Sequence, residues 1–135
     1  MAAFNKFNFF VQDLAQKLHN LSSDTVTVAL TTVAPVATNH VLTDLTEVSY
    51  TNLSSRAITP TSANQTSGTL NYILPDLVLT ASGAVAGFRY IVLYNSTSTN
   101  KNLIGWYDYG STVTLASGET FTLDLDNVTG LLTIA

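Results

Sequence analysis

The apolar residues of this chain follow two different periods, one before Asp24 and one after it. From Phe4 to Leu21 they recur at intervals of three and four, which places them on one face of a helix: Phe4, Phe7, Val11, Leu14, Leu18 and Leu21. The turn-forming residues Ser22 to Asp24 end this segment. The pattern predicts one helix within residues 1–23, and its apolar face packs either on the protein's own sheet or on a partner.

After Asp24 the period changes to two, as expected for strands with one buried face. Val26, Val28 and Leu30 alternate with threonine and alanine. Pro35 indicates a loop in the segment that follows. Two linking segments have weaker patterns: residues 41–47 form either a short helical turn or an irregular link, and residues 61–68 are predicted to be an exposed polar loop.

The second half of the chain has the densest strand pattern. Phe88 to Tyr94 is apolar on both faces except for Arg89, which is typical of a central strand, and Leu103 to Tyr109 is its predicted antiparallel partner. Further strands are predicted at residues 57–58, 70–74, 77–80, 121–125 and 131–134, the last two forming a terminal hairpin. About seven or eight short strands are typical of a sandwich or barrel.

Together these elements predict the fold class and the domain organisation. We expect a mainly β protein, an antiparallel β-sandwich or jelly-roll-like barrel with one N-terminal α-helix. The 135 residues suit a single domain, in which the helix occupies residues 1–23 and the sandwich residues 24–135.

The composition indicates a surface with few charged side chains. Only 10% of the residues are charged, against about 25% in ordinary soluble domains, while 21 threonines supply much of the polarity. A net charge of −4 and scattered basic residues leave no patch for nucleic acid: Lys6, Lys17, Arg56, Arg89 and Lys101. No apolar run has the length of a membrane span or a signal-peptide core, so we expect synthesis in the cytoplasm. Low charge favours a subunit that docks against neighbours.

Candidate catalytic and metal-binding residues are scarce. The chain has no cysteine, and its two histidines, His19 and His40, stand in no metal-ligand spacing. Asp124 and Asp126 resemble a sugar-cleaving pair only in spacing, because Asp124 fits a solvated strand position and Asp126 begins a turn. We therefore predict no catalytic residue, no metal and no cofactor. An enzyme would need a cleft that joins His19 or His40 to a carboxylate.

Aromatic residues cluster in the predicted central strands. Trp106, Tyr107 and Tyr109 lie close in sequence to Tyr90 and Tyr94, and flat rings of this kind stack on sugars. Strand alternation places Trp106 and Tyr107 on opposite faces, so at most one of them joins a given surface. Core packing accounts for most of these rings, and a glycan-binding module stays as an alternative that requires an exposed ring.

Three segments of the second half resemble a known family. Residues 88–95 (FRYIVLYN), 103–111 (LIGWYDYGS) and 115–122 (LASGETFT) resemble small virion proteins of tailed bacteriophages. The opening helix and residues 20–25 (NLSSDT) are similar to that family as well, and the likeness is weakest over residues 49–68. Within that family the chain resembles auxiliary head proteins, which decorate or cement the capsid.

The resemblance implies a non-catalytic, structural function. Proteins of this kind are small β-rich oligomers, often trimers, so it implies a homotrimer that binds the major capsid protein on the outside of the head. It supplies no catalytic residues to this sequence. Alternatives are a head-to-tail or tail structural protein and a glycan- or receptor-binding module. Candidate contact segments are residues 1–10, 39–50 and 61–68.

Overall fold

The computed structural model describes residues 2–134. In that range the chain forms one α-helix, one 3-10 helix and ten strands, with these bounds: β1 (Asn5–Lys6), α1 (Phe9–Ala15), β2 (Val26–Thr31), the 3-10 helix (Leu42–Asp44), β3 (Ala57–Ile58), β4 (Ser62–Thr66), β5 (Thr69–Ile73), β6 (Leu77–Thr80), β7 (Val85–Asn95), β8 (Leu103–Leu115), β9 (Thr120–Leu123) and β10 (Leu132–Ile134).

The strands form three antiparallel sheets. The largest has the order β1-β8-β7-β2-β3, the second the order β10-β5-β4, and the third pairs β6 with β9. The mainly β, sandwich-like fold with one helix near the N-terminus is confirmed. Residues 2–134 contain more strands than the seven or eight expected, because the two-residue β1 and the polar β4 show no alternation of apolar residues.

The main core lies between the five-stranded sheet and the two smaller sheets. Alternate residues of β2, β7 and β8 point toward side chains of β5, β6 and β9, and the fully buried members include Val28, Leu30, Ile91, Leu93, Tyr72, Leu79 and Leu125. Burial of this much apolar surface is the dominant favourable contribution to folding.

The opposite face of the five-stranded sheet is covered too. Ala29, Val92 and Leu103 pack there against Phe7 from the N-terminal segment and against the residues around the 3-10 helix. The sequence predicted a central strand covered on both sides, and β7 is the middle strand of the five. Its partnership with β8 is also confirmed, with Ile91 opposite Tyr107.

The predicted N-terminal helix is wrong in extent. Only Phe9–Ala15 is helical, Asn5 and Lys6 pair with β8 instead, and Lys17 takes a left-handed φ of 65° that ends the helical conformation. The buried face of the helix also differs from the predicted one. Val11 is 52% exposed, while Phe10 enters the main core of the protein's own sandwich. A helix of seven residues is too short to be stable alone, so tertiary contacts decide its limits.

Two predictions for the later segments are also wrong. Residues 61–68, expected to be a loop, contain β4, because Ser67 and Gly68 take the two positive φ angles (51° and 83°) that a tight hairpin turn requires. The expected terminal hairpin does not form: β9 pairs with β6 and β10 with β5. A turn with positive φ at Asp126 and Gly130 carries the chain from one small sheet to the other.

The undecided link at residues 41–47 contains the 3-10 helix, and the strand predicted at Ala57 and Ile58 is β3. Within residues 2–134, no helix has the length and apolar character required to cross a bilayer.

We expect Gly105→Ala to detach β1 from the sheet. A Cβ at Gly105 would collide with the Phe4 ring and lie 2.6 Å from the Asn5 carbonyl oxygen, so β1 has to move. Overpacking of this kind costs about 1–3 kcal/mol of the free energy of unfolding. Urea unfolding measures it, with Thr114→Val at an exposed position of β8 as the control. A wild-type midpoint in Gly105→Ala would contradict the β1–β8 pairing.

Candidate functional site

Most of the buried polar side chains lie in one place. Of the five buried polar or charged residues in the part of the chain that the structure describes, four are neighbours: Asp13, His19, Asn95 and Asn102. His40, whose side chain is 34% exposed, closes the group on one side. These five residues are called the Asp13 cluster below.

Four different segments of the chain supply the Asp13 cluster. Asp13 lies on α1, three residues after the core residue Phe10, and His19 follows the helix. Asn95 is the last residue of β7, and Asn102 immediately precedes β8. His40 belongs to the link before the 3-10 helix, and its carbonyl oxygen accepts a 2.9 Å hydrogen bond from the Leu103 N–H.

The Asp13 carboxylate is the centre of the cluster. It is fully buried, and His40 Nε2 lies 2.9 and 3.0 Å from its two oxygens. Asn102 Nδ2 donates to Asp13 Oδ2 at 3.0 Å. A buried carboxylate needs such donors, since an unpaired one would be costly to remove from water. One side chain of α1 thereby ties the helix to the link and to the start of β8.

Asn95 determines which ring nitrogen of neutral His19 carries the proton. The Asn95 Oδ1 accepts from the N–H groups of Thr97 and Ser98 at 2.9 and 3.1 Å, so its Nδ2 has to face the cluster. That Nδ2 lies 3.1 Å from His19 Nδ1 and 2.6 Å from Asp24 Oδ2. His19 Nδ1 therefore accepts a hydrogen bond, and the proton of the neutral ring is on Nε2.

The surroundings of His19 favour its neutral form. Burial lowers the pKa of His19 below its ordinary value, although the carboxylates of Asp13 and Asp24 favour the charged form. Within residues 2–134 its Nε2 has no hydrogen-bond partner and lies 4.0 Å from Asp13 Oδ2. The ring packs against Phe10, with the centroids 5.2 Å apart.

A cleft of about 640 Å³ opens beside the cluster. Its described lining includes His19, Asn102 and Asp24, together with other residues of the post-helical segment and of the loop between β7 and β8. Asp13 and His40 are not among the described residues that line it. The cleft therefore brings His19 together with the Asp24 carboxylate, the kind of pairing that an enzyme would need, but it does not reach the His40–Asp13 pair.

The chemistry available to the His40–Asp13 pair is limited. An imidazole held by a carboxylate resembles the base and orienting acid of a hydrolase. However, among residues 2–134 no serine or threonine hydroxyl is hydrogen-bonded to His40, whose ring instead stacks on Phe9 at 4.1 Å. The described part of the chain also has no group of three histidine or carboxylate side chains placed to hold a metal ion. In this geometry the pair connects α1 to the link before the 3-10 helix.

Asp108 and the two carboxylates considered from sequence serve local structure. Asp108 forms two hydrogen bonds with Arg89, which keeps the pKa of Asp108 below its ordinary value. Asp126 caps its own turn, where the Thr129 hydroxyl and N–H lower the pKa of Asp126. Asp124 is exposed and accepts from the Asp126 N–H at 3.2 Å. Asp124 and Asp126 thus occupy the solvated and turn positions that the sequence indicated.

The aromatic residues divide between the two faces as predicted. Trp106 packs on Phe7 on one face of the five-stranded sheet, while Tyr107 is buried in the main core on the other. Tyr109 is 53% exposed and meets Phe121 edge-on at 5.4 Å. Beside Tyr109 and Phe121 lies a small pocket of about 180 Å³ with Asp124 at its rim.

Sequence reasoning missed the Asp13 cluster. It placed His19 in a helix and His40 in a loop and joined neither to a carboxylate. One signal was present: Asp13 and Leu14 lie three and four residues after Phe10, so an apolar face that starts at Phe10 includes Asp13. A charged residue on an inward helical face needs partners.

Comparisons of the chain with protein-family models, with curated proteins and with solved structures find no match.

We expect Asp13→Ala to lower the free energy of unfolding by about 3–5 kcal/mol, because His40 and Asn102 lose their acceptor. Gln12→Ala, at the neighbouring exposed position of α1, is the matched control and should change it by under about 0.5 kcal/mol. Urea unfolding of both variants checks this. Equal stabilities for the two variants would show that the cluster contributes nothing.

Proposed function

We propose that the protein is a non-enzymatic structural protein of a tailed-phage virion, a decoration or cement subunit that binds the major capsid protein on the outside of the head. The observation that carries the proposal is an apolar groove between β1 and β10, in a protein with few charges. The sequence resemblance supports the same function. The Asp13 cluster, whose hydrogen bonds join α1 to the link and to the start of β8, is consistent with it.

The groove has a volume of about 550 Å³ and two walls. Phe4, Phe10 and Val11 form one wall, and residues 131–134 form the other. Val11 and Ile134 are 52% and 37% exposed, and Lys6 is the one charged side chain among the described lining residues. An apolar surface of this kind is costly to leave in water and favours a protein partner.

Strand edges border the groove. In the described residues β1 pairs with β8 alone and β10 with β5 alone, so each is an outer strand of its sheet. Outer strands offer unpaired N–H and C=O groups to an extended segment of another chain. We propose that a segment of the shell subunit lies in this groove and that its apolar side chains contact Val11 and Ile134.

Docking through a small apolar groove suits a repetitive shell. One such contact is weak, but an oligomer that engages several shell subunits at once binds firmly through multivalency. We therefore propose a homo-oligomer, a trimer as the resemblance implies. The groove includes part of the contact segment expected at residues 1–10. The head-to-tail junction and the tail are alternative locations for the same docking chemistry.

We expect Val11→Asp to abolish binding to the shell, because it places a charge in the apolar groove. Co-sedimentation with purified heads that lack this protein measures the binding. The matched control is Val128→Asp, which adds the same charge at an 81% exposed position outside the described groove. Equal loss in both variants, or no binding by the wild type, would contradict the proposal.

A glycan-binding module is a second candidate, favoured by the exposed Tyr109. Its ring stands beside Phe121 and a small pocket whose rim carries the Asp124 carboxylate. An exposed ring can stack on a sugar face, and a nearby carboxylate can accept hydrogen bonds from sugar hydroxyls.

On this second candidate, Tyr109→Ala should lower glycan binding at least tenfold, since stacking needs the ring. Tyr109→Phe keeps the ring and should retain most of the affinity. Binding to a panel of bacterial surface polysaccharides, measured by calorimetry, checks both variants. No binding by the wild type to any of them would remove this candidate.

A further inference from the structure

We propose that the Asp13 cluster is an acid-sensitive latch that holds the N-terminal segment, residues 2–24, against the sandwich, and that protonation of His19 opens it. The latch is a property of the fold and does not rest on the proposed virion function. Its components are the hydrogen bonds that join α1, the link at His40 and the ends of β7 and β8.

The latch is built so that only neutral His19 fits. The Asn95 amide cannot rotate to present its oxygen to His19, because that oxygen is already bonded to two backbone N–H groups. Protonation would add a second N–H at Nδ1 and point it at the Asn95 Nδ2 only 3.1 Å away. Two donors would then face each other in a buried site, and this hydrogen bond would be lost.

The groups around His19 do not compensate for that loss. Asp13 from α1 and Asp24 from the segment before β2 attract an imidazolium, while His40 from the link opposes it. Asp24 already accepts from the Asn20 N–H and from Asn95. Burial of the ring outweighs both carboxylates, so the pKa of His19 stays below 6.5.

The other charged residues of the surrounding segments are Asp44, Lys17 and Lys101. Asp44 accepts from the N–H groups of His40 and Val41 at 2.8 and 3.1 Å. Lys17 lies at the rim of the cleft beside His19. Lys101 precedes Asn102 and is exposed. Neither lysine is among the described groups that shift the pKa of His19.

The sign of the pH dependence follows from proton uptake. Once the segment is released, His19 binds a proton at its ordinary pKa of 6.5, whereas in the closed latch it does so only at lower pH. The open state therefore holds more protons in this window, and the closed state loses stability as pH falls from about 6.5 through the pKa of the closed latch. Above that window the latch keeps its full strength.

Opening would be local, because the elements of the segment are short. α1 has seven residues and β1 has two, and neither is stable without tertiary contacts. The main core between the sheets is supplied largely by β2 and by the strands that follow it. Release of residues 2–24 would uncover the buried rings of Phe7 and Phe10 and the edge of β8.

Trp106 gives a direct readout. It is the single tryptophan of the chain, it is half-buried, and its ring centroid lies 4.5 Å from that of Phe7. We would titrate its fluorescence from pH 7.5 to 5.0 in the full chain while following the strand signal by circular dichroism. The wild type should show a red shift with the strand signal retained, and the opening constant should rise by up to tenfold per pH unit.

The variant His19→Asn distinguishes opening caused by protonation of His19 from other effects of low pH on the protein. Asparagine keeps an acceptor for Asn95 but does not titrate, so the red shift should be absent over this range. His40→Asn, which removes the other imidazole, should weaken the latch at every pH and keep the pH dependence. An unchanged transition in His19→Asn, or no transition in the wild type, would overturn the proposal.

A measurement on the wild type alone covers the case in which the variant fails to fold. The imidazole nitrogen shifts of His19, from long-range proton–nitrogen spectra, should show the Nε2–H form at pH 7.5. They should change to the imidazolium with the same midpoint as the Trp106 signal. A protonated His19 in a protein whose Trp106 signal is still that of the closed state would equally overturn the latch.

Discussion

The need to bond one buried carboxylate organises the N-terminal half of this protein. Asp13 is withdrawn completely from water on a seven-residue helix, and it is stable there only because His40 and Asn102 donate to it. Those two residues come from a distant link and from the loop between the two longest strands. The carboxylate therefore helps to fix the position of the helix, which also places Phe10 in the main core.

The same constraint shapes the surface that we propose for docking. Phe4, Phe10 and Val11 can form one wall of the groove only while the N-terminal segment stays against β8. Gly105 allows the close approach of β1, and the Asp13 cluster holds the helix that follows. The hydrogen bonds of the Asp13 cluster thus help to place the apolar side chains that line the groove.

The sequence predicted the elements whose pattern is set by their own burial. β7 was identifiable because both of its faces are covered, and its pairing with β8 followed from the short turn-rich loop between them. β1 and β4 were not identifiable, since their partners and turns, not apolar alternation, make them strands. The Asp13 cluster was hidden for a related reason. His40 and Asn102 lie 27 and 89 residues from Asp13, and no local pattern reports contacts at such separations.

We propose that this protein docks its β1–β10 groove on a shell subunit. Amide hydrogen exchange of the protein, free and bound to purified phage heads, tests it most directly. Docking through the groove predicts slower exchange on binding in residues 4–11 and 131–134, with little change around Tyr109 and Phe121. Slower exchange confined to the region of Tyr109 and Phe121, or no change anywhere in the presence of heads, would contradict it.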